Sequence, residues 1–224
     1  MGTRQVNIQL QVQSDQVTFY LQPSCTEGIM LVRACQAGCQ ITVARYGGHS
    51  ATVYLSAQNL PAGVSASFDP QQVTAGTLVS DLTLSASSTA EHGSYSFIVN
   101  GFDGQFTRTA TIPLYISPRF ELLGQQQSIS CLGNNYSISG TMDLIFHAPA
   151  PCANSVNISI TTVTPGVTIM GYSISPNPAP PGTTGITYQL TASPCGQSGD
   201  VHTFEVRAQD GIDLAKAFID VFFM

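Results

Sequence analysis

The segment "NGFDGQFTRTATIPLYI" (100–116) and the segment "AQDGIDLAKAFIDVFF" (208–223) have the same layout. Each runs from the end of an alternating strand through Asp-Gly into a second alternating strand. Asp103-Gly104 and Asp210-Gly211 lie 107 positions apart. An Asp-Gly step between two period-two runs is a hairpin signal, because glycine adopts the positive φ that tight turns require. Working backwards, "LPAGVSASFDP" (60–70) matches "VTPGVTIMGYSISP" (163–176), which sets Pro70 against Pro176, 106 positions on. Further back, Phe19 in "VTFYLQPS" matches Phe120 in "PRFELLGQ". Landmarks in the same order at nearly constant spacing mark an internal duplication.

Each copy holds about seven short strands between turn signals, the pattern of an immunoglobulin-like sandwich. In the first copy these are "QITVARY", "ATVYLSAQ", "VSASFDP", "SDLTLSAS", "SYSFIVNG" and "RTATIPLYI", after an opening strand at Phe19. In the second they are "TMDLIFHA", "SVNISITT", "VTIMGYSIS", "GITYQLTA", "HTFEVRAQ" and "AKAFIDVFF", after a strand at Phe120. The expected fold is therefore all-β: two tandem Ig-like antiparallel β-sandwiches of the Greek-key or jelly-roll kind. Residues 1–16 form an N-terminal strand or arm, 17–117 the first sandwich and 118–224 the second. Within "NLPAGVSASFDPQQV" (59–73), Gly63 turns the chain and Val64, Ala66 and Phe68 share one face. Pro70 then ends the strand, since it cannot donate to a ladder. The chain has no Trp, so the antibody-type core of Trp against a disulfide is absent.

The residues from "TVYLSAQNLPAGVSASFDP" to "RTATIPLYI" resemble the Ig-like repeats of exported bacterial and archaeal proteins. The resemblance covers most of the first copy and, less closely, the second. It implies a stalk, spacer or adhesive module and brings no functional residues with it. A narrower resemblance is to structural proteins of virions, as in a vertex or turret component of an archaeal icosahedral virus. It rests on surface-type sandwiches beginning at a Met without a secretory signal.

Composition narrows the function classes. Of 224 residues 43% are hydrophobic and only 9% are charged, with a formal net charge of −6. One lysine and six arginines face thirteen acids. Nucleic acid is not an expected partner, because phosphate neutralisation needs clustered Lys and Arg. Membrane insertion is not expected either, for no apolar run approaches the roughly 18–20 residues of a span. A surface of Gln, Ser, Thr and Asn keeps its hydration as carboxylates protonate, which suits an exterior or acidic setting.

Six cysteines are disulfide candidates: Cys25, Cys35, Cys39, Cys131, Cys152 and Cys195. In the sandwich scheme Cys131 and Cys195 share the far end of the second copy, so they are expected to pair. Cys25, Cys35 and Cys39 share the near end of the first, which abuts Cys152. Two of the three pair locally, and the third reaches Cys152. Such bridges belong to extracellular sites or to hyperthermophiles. A Cys3His zinc set of Cys25, Cys35, Cys39 and His49 is the competing arrangement, without the CxxC spacing of a zinc knuckle.

No nucleophile elbow, HExxH helix or phosphate loop is present, so neither an enzyme nor a cofactor is expected. His49, His92, His147 and His202 are scattered. Asp200, Asp210 and Asp213 lack calcium-loop spacing. Asn135-Tyr136-Ser137 and Asn157-Ile158-Ser159 are glycosylation triplets. Tyr46, Tyr54 and Phe102 are candidates for an exposed aromatic platform. In "QVNIQLQVQ" (5–13), Val6, Ile8, Leu10 and Val12 share one face. They form either an extra strand of the first sandwich or an assembly arm that adds to a neighbour's sheet edge.

The expected function is a non-enzymatic structural or assembly protein of an extracellular particle, at a virion surface. Its partners would be copies of itself or other structural subunits. The alternative is a carbohydrate- or protein-binding module, or a stalk, from an exported cell-surface protein. Its location is a virion, the cell surface or the extracellular space.

Overall fold

The alternating runs form seventeen strands in a computed structural model that describes residues 18–129, 131, 133–149 and 151–224. The arm residues Val6, Ile8, Leu10 and Val12 lie outside the described residues. In the first copy the strands are β1 (Thr18–Pro23), β2 (Ile29–Val32), β3 (Gln36–Tyr46), β4 (Val53–Gln58), β5 (Val64–Asp69), β6 (Gln72–Val73), β7 (Val79–Ala86), β8 (Gly93–Phe102) and β9 (Thr107–Ser117). In the second they are β10 (Phe120–Leu122), β11 (Gln125–Ile129), β12 (Tyr136–Phe146), β13 (Asn157–Thr162), β14 (Thr168–Ser175), β15 (Gly185–Ser193), β16 (Val201–Gln209) and β17 (Leu214–Phe223).

The strands order into four sheets. In the first copy β1-β3-β7-β5 faces β2-β9-β8-β4-β6; in the second β10-β12-β15-β14 faces β11-β17-β16-β13. Apart from the two-residue β6, the strand orders of the two copies are the same, as the duplication requires. This is an all-β fold of paired Ig-like sandwiches. The opening strand of each copy is split. Its first half pairs antiparallel in one sheet, β1 with β3 and β10 with β12. Its second half crosses over and pairs in parallel, β2 with β9 and β11 with β17. The sequence reading took each opening strand as one piece, because periodicity reports a face and not a partner.

Inward residues at period two build two cores. One gathers Phe19, Ile41, Val43, Leu55, Leu82, Leu84, Phe97, Val99 and Ile112. The other gathers Phe120, Met142, Leu144, Ile186, Tyr188, Phe204, Val206 and Ile219. A third, small cluster joins Val32 and Cys35 of the first copy to Ala148, Cys152 and Ala153 of the second. Val64, Ala66 and Phe68 on β5 are half-buried and lean on the first core, as their shared face implies. The Asp-Gly turns are four-residue loops, 103–106 and 210–213, longer than the tight hairpins expected. In each, the aspartate explains the extra length, because its Oδ1 accepts the amides two and three residues on.

Candidate functional site

The turn of the second sandwich at 210–213 lies against the base of the first. Arg119, directly before β10, is buried, and its Nε donates to Asp210 Oδ2 at 2.5 Å; the two side chains are 2% and 1% exposed. The rest of the guanidinium donates to the carbonyls of Arg33 and Cys152. Asp213 closes the set. Its Oδ2 accepts the Arg119 amide at 2.8 Å, and its Oδ1 accepts Arg33 Nη1 at 2.7 Å. Arg33 Nε donates in turn to the Ala90 carbonyl. Burial alone would raise the Asp210 pKa, but bonds from the Asp213 amide, Arg119 and the Ile212 amide hold it below the usual carboxylate value. Two arginines and two aspartates thus satisfy one another and the backbone at a junction where Arg119, Asp210 and Asp213 are buried and Arg33 is partly exposed. Removing one member of such a set strands the others, so the network fixes geometry more than it adds net stability.

The cysteines follow the same plan. Cys35 is bonded to Cys152 across the junction, with Cα atoms 5.8 Å apart. Cys25 is bonded to Cys39 within the first sandwich, and Cys131 to Cys195 at the far end of the second. All three cysteines of the candidate zinc set are therefore oxidised. Its fourth member, His49, sits at the opposite end of the sandwich from them. Among the described residues, no group of three or more His, Cys, Asp or Glu side chains is placed to hold a metal ion.

At the other end of the first sandwich, Asp103 occupies the position that Asp210 holds in the second. His49 replaces Arg119 as its partner, with Nε2 2.8 Å from Asp103 Oδ2. Arg45 Nη1 reaches His49 Nδ1 at 2.8 Å and can only donate, so Nε2 carries the proton given to Asp103. Burial alone would raise the Asp103 pKa; bonds from the Phe106 amide, the Gln105 amide and His49 bring it down to about 2. Around this end stand five exposed rings: Tyr20, Tyr46, Tyr54, Phe102 and Phe106, each between 42% and 50% exposed. Tyr20 meets Tyr46 edge-on at 5.4 Å, and Arg108 packs against both Tyr20 and Phe106. Tyr54 and Phe102 are direct cross-strand neighbours on β4 and β8. The three ring residues expected from sequence lie near one end but on different sheets. Tyr46 stands with Tyr20 on the outer face of β1 and β3, and Tyr54 with Phe102 on the outer face of β4 and β8. They do not form the single platform expected. Tyr20 and Phe106 were missed by the sequence reading. An exposed aromatic next to a turn, such as Phe106 after Asp103-Gly104, was the available signal.

The remaining sequence candidates are dispersed. His147 is near Glu121, His202 bonds to the Tyr136 hydroxyl, and His92 is exposed. Burial pushes the Tyr136 hydroxyl up to about 12. Asp200 caps the turn before β16, far along the sandwich from Asp210 and Asp213. Among the described residues, no helix is long and apolar enough to cross a membrane.

No family model and no curated protein matches the chain. Among solved structures it is similar to an endo-fucoidan hydrolase, MfFcnA4, of glycoside hydrolase family 107. The identity is 12% and the TM-score 0.30, covering 88% of this chain and 28% of that one. It is similar to the N-terminal eight Ig domains of Down Syndrome Cell Adhesion Molecule at 8% identity and TM-score 0.29, covering 95% and 28%. It is also similar to Salmonella alpha-2-macroglobulin at 9% identity and TM-score 0.33, covering 97% and 17%. The chain thus spans well under a third of the length of these matches. The assignment of its fold rests on its own strand order.

Proposed function

We propose that this chain is a structural and assembly subunit of an extracellular particle, with no reaction of its own. The finer reading is a component of a virion surface, at a vertex or turret. The observation that supports it is the junction. A disulfide, the buried Arg119, the partly exposed Arg33 and two aspartates tie the sandwiches to each other, which a rigid spacer needs and a flexible pair of binding modules does not. Three disulfides suit an extracellular or secreted protein, where the surroundings are oxidising. The scarcity of Lys and Arg leaves nucleic acid out of the proposed partners, which are protein subunits.

Two measurements test this. Small-angle scattering of the purified chain should give one rigid, elongated profile that does not change with temperature below unfolding. Immunogold labelling with antibody against the chain should decorate released particles. Label confined to the cytosol would overturn the proposal, and label on the cell envelope would move the subunit to a surface stalk. The rings around His49 and Asp103 favour a second reading, a carbohydrate- or protein-binding module of an exported protein. Monomers retained on a glycan array would support it.

A further inference from the structure

The triplets Asn135-Tyr136-Ser137 and Asn157-Ile158-Ser159 both belong to the second sandwich, and the first copy contains no Asn-X-Ser or Asn-X-Thr. In each triplet the middle residue is buried in the core and the asparagine is exposed. Asn135 stands directly before β12, and Asn157 opens the edge strand β13. Ser137 is exposed and Ser159 half-buried. Among the described residues, neither asparagine side chain has a hydrogen-bond partner. Two asparagines that the fold does use stand outside the triplets. Asn134 donates to Ser193 Oγ, while Asn177 accepts the Ile158 amide at 3.0 Å and donates to the Ile158 carbonyl at 2.8 Å. The duplication supplies a comparison. Phe19 lies opposite Arg45 and Phe120 opposite Phe146, and counting back along β3 and β12 places Asn135 where the first copy has Ala34. Ala34 lies between Arg33 and Cys35, in the base that the second sandwich covers. At the base of the second sandwich the same position is an exposed asparagine that opens an acceptor triplet.

We propose that Asn135 and Asn157 are acceptors for N-linked oligosaccharide, taken from a polyprenyl-phosphate-linked donor by a membrane oligosaccharyltransferase. In the transfer, Nδ2 forms a bond to the anomeric carbon of the first sugar, and the bond from that carbon to the donor's phosphate oxygen breaks. The amide gives up one proton and the lipid leaves with its phosphate; nothing is oxidised or reduced. The serine two residues on completes the triplet that the transferase reads. In the finished fold both backbone groups of Ile158 are held by Asn177, and the Asn134 carbonyl accepts the Cys195 amide at 2.7 Å. Neither triplet is then free to bend into an enzyme's site, so transfer precedes folding. The part of the fold is to leave room for the product, and exposed Asn135 and Asn157 do so. One glycan would stand at the base of the second sandwich and one on its β13 edge, which leaves subunit contacts to its other faces. This inference rests on the extracellular part of the reading above, because such donors are met on the way out of the cell.

The full chain, directed into the secretory pathway of cultured animal cells, tests it. Mass spectrometry of the intact, oxidised protein before and after peptide-N-glycosidase treatment should show two oligosaccharides. Release in heavy-oxygen water should mark positions 135 and 157 as labelled aspartates. Asn135→Gln and Asn157→Gln should each remove one glycan. Ser137→Ala should remove the glycan at Asn135 and Ser137→Thr should keep it, although neither alters the asparagine. A chain kept inside the cell is read in the same way from its membrane fraction, because transfer comes before folding. Either asparagine bare in wild type, or a glycan at Asn135 that survives Ser137→Ala, would overturn the inference. That result would leave the structural reading standing. Immunogold label confined to the cytosol would instead remove that reading, even with both triplets accepting sugar in animal cells.

Discussion

Asp103 and Asp210 occupy one turn position in the two sandwiches, and each is neutralised by what its neighbourhood provides. Asp103, with His49 and two amides, has its folded pKa near 2, below the ~3.9 of an unfolded aspartate. The carboxylate form is therefore the one the fold favours. Its contribution is complete above about pH 4 and disappears as pH falls toward about 2. Asp103→Asn should lower the melting temperature at pH 6, and its deficit against wild type should shrink as pH falls from 4 to 2; thermal melts across that range check it. Asp210 depends instead on Arg119. Arg119→Met leaves a buried carboxylate without its cation and should cost about 3–5 kcal/mol in urea unfolding. Arg207→Met, at an exposed pair with Glu205, should cost no more than about 1 kcal/mol. Little in the sequence hints at this difference. Arg119 in "SPRF" reads as an ordinary linker residue until the fold brings Asp210 beside it. Of Asp200, Asp210 and Asp213, which lack calcium-loop spacing in the sequence, the last two are the acceptors of two arginines.

At the scale of elements, most strands were legible because a half-buried strand writes its face into every second residue. "ITV" on β3 and "LTL" on β7 bury Ile41, Val43, Leu82 and Leu84 and leave the residues between them less buried. What period two cannot encode is which strand lies alongside. The crossing of each opening strand from one sheet to the other was missed for that reason. Turn chemistry was legible where glycine is obligatory. Gly63 has φ +78°, and a Cβ there would fall 2.6 Å from Ser87 Oγ and 3.1 Å from Ala90 Cα. Its carbonyl also accepts the Ser87 amide at 2.8 Å, so the turn cannot simply move away. Gly63→Ala should therefore destabilise by more than about 1 kcal/mol. Gly76→Ala, where added volume meets nothing within 4 Å, should change stability by less. Chemical denaturation of the pair measures the difference.

For the molecule as a whole, the duplication announced two sandwiches but not how they are joined. The Cys35–Cys152 link was among the pairings that the strand scheme allowed, because loop ends can be assigned from strand count alone. The ionic set could not be found that way, since Arg33, Arg119, Asp210 and Asp213 come from three separated segments. The two devices act differently. The disulfide spans 117 positions and, by the loop-closure model, stabilises by about 4–5 kcal/mol through the unfolded chain. The ionic set acts in the folded state, coupling one sandwich to the other. Cys35→Ser with Cys152→Ser should therefore lower the melting temperature while unfolding stays a single transition. Adding Arg33→Ala and Asp213→Ala should uncouple the sandwiches. Calorimetry would then show two transitions, and the ratio of calorimetric to van't Hoff enthalpy should rise from about one toward about two. If the fourfold variant still melts in one transition, the small apolar cluster of Val32, Ala148 and Ala153 is enough to couple the sandwiches, and the ionic set has only a local role.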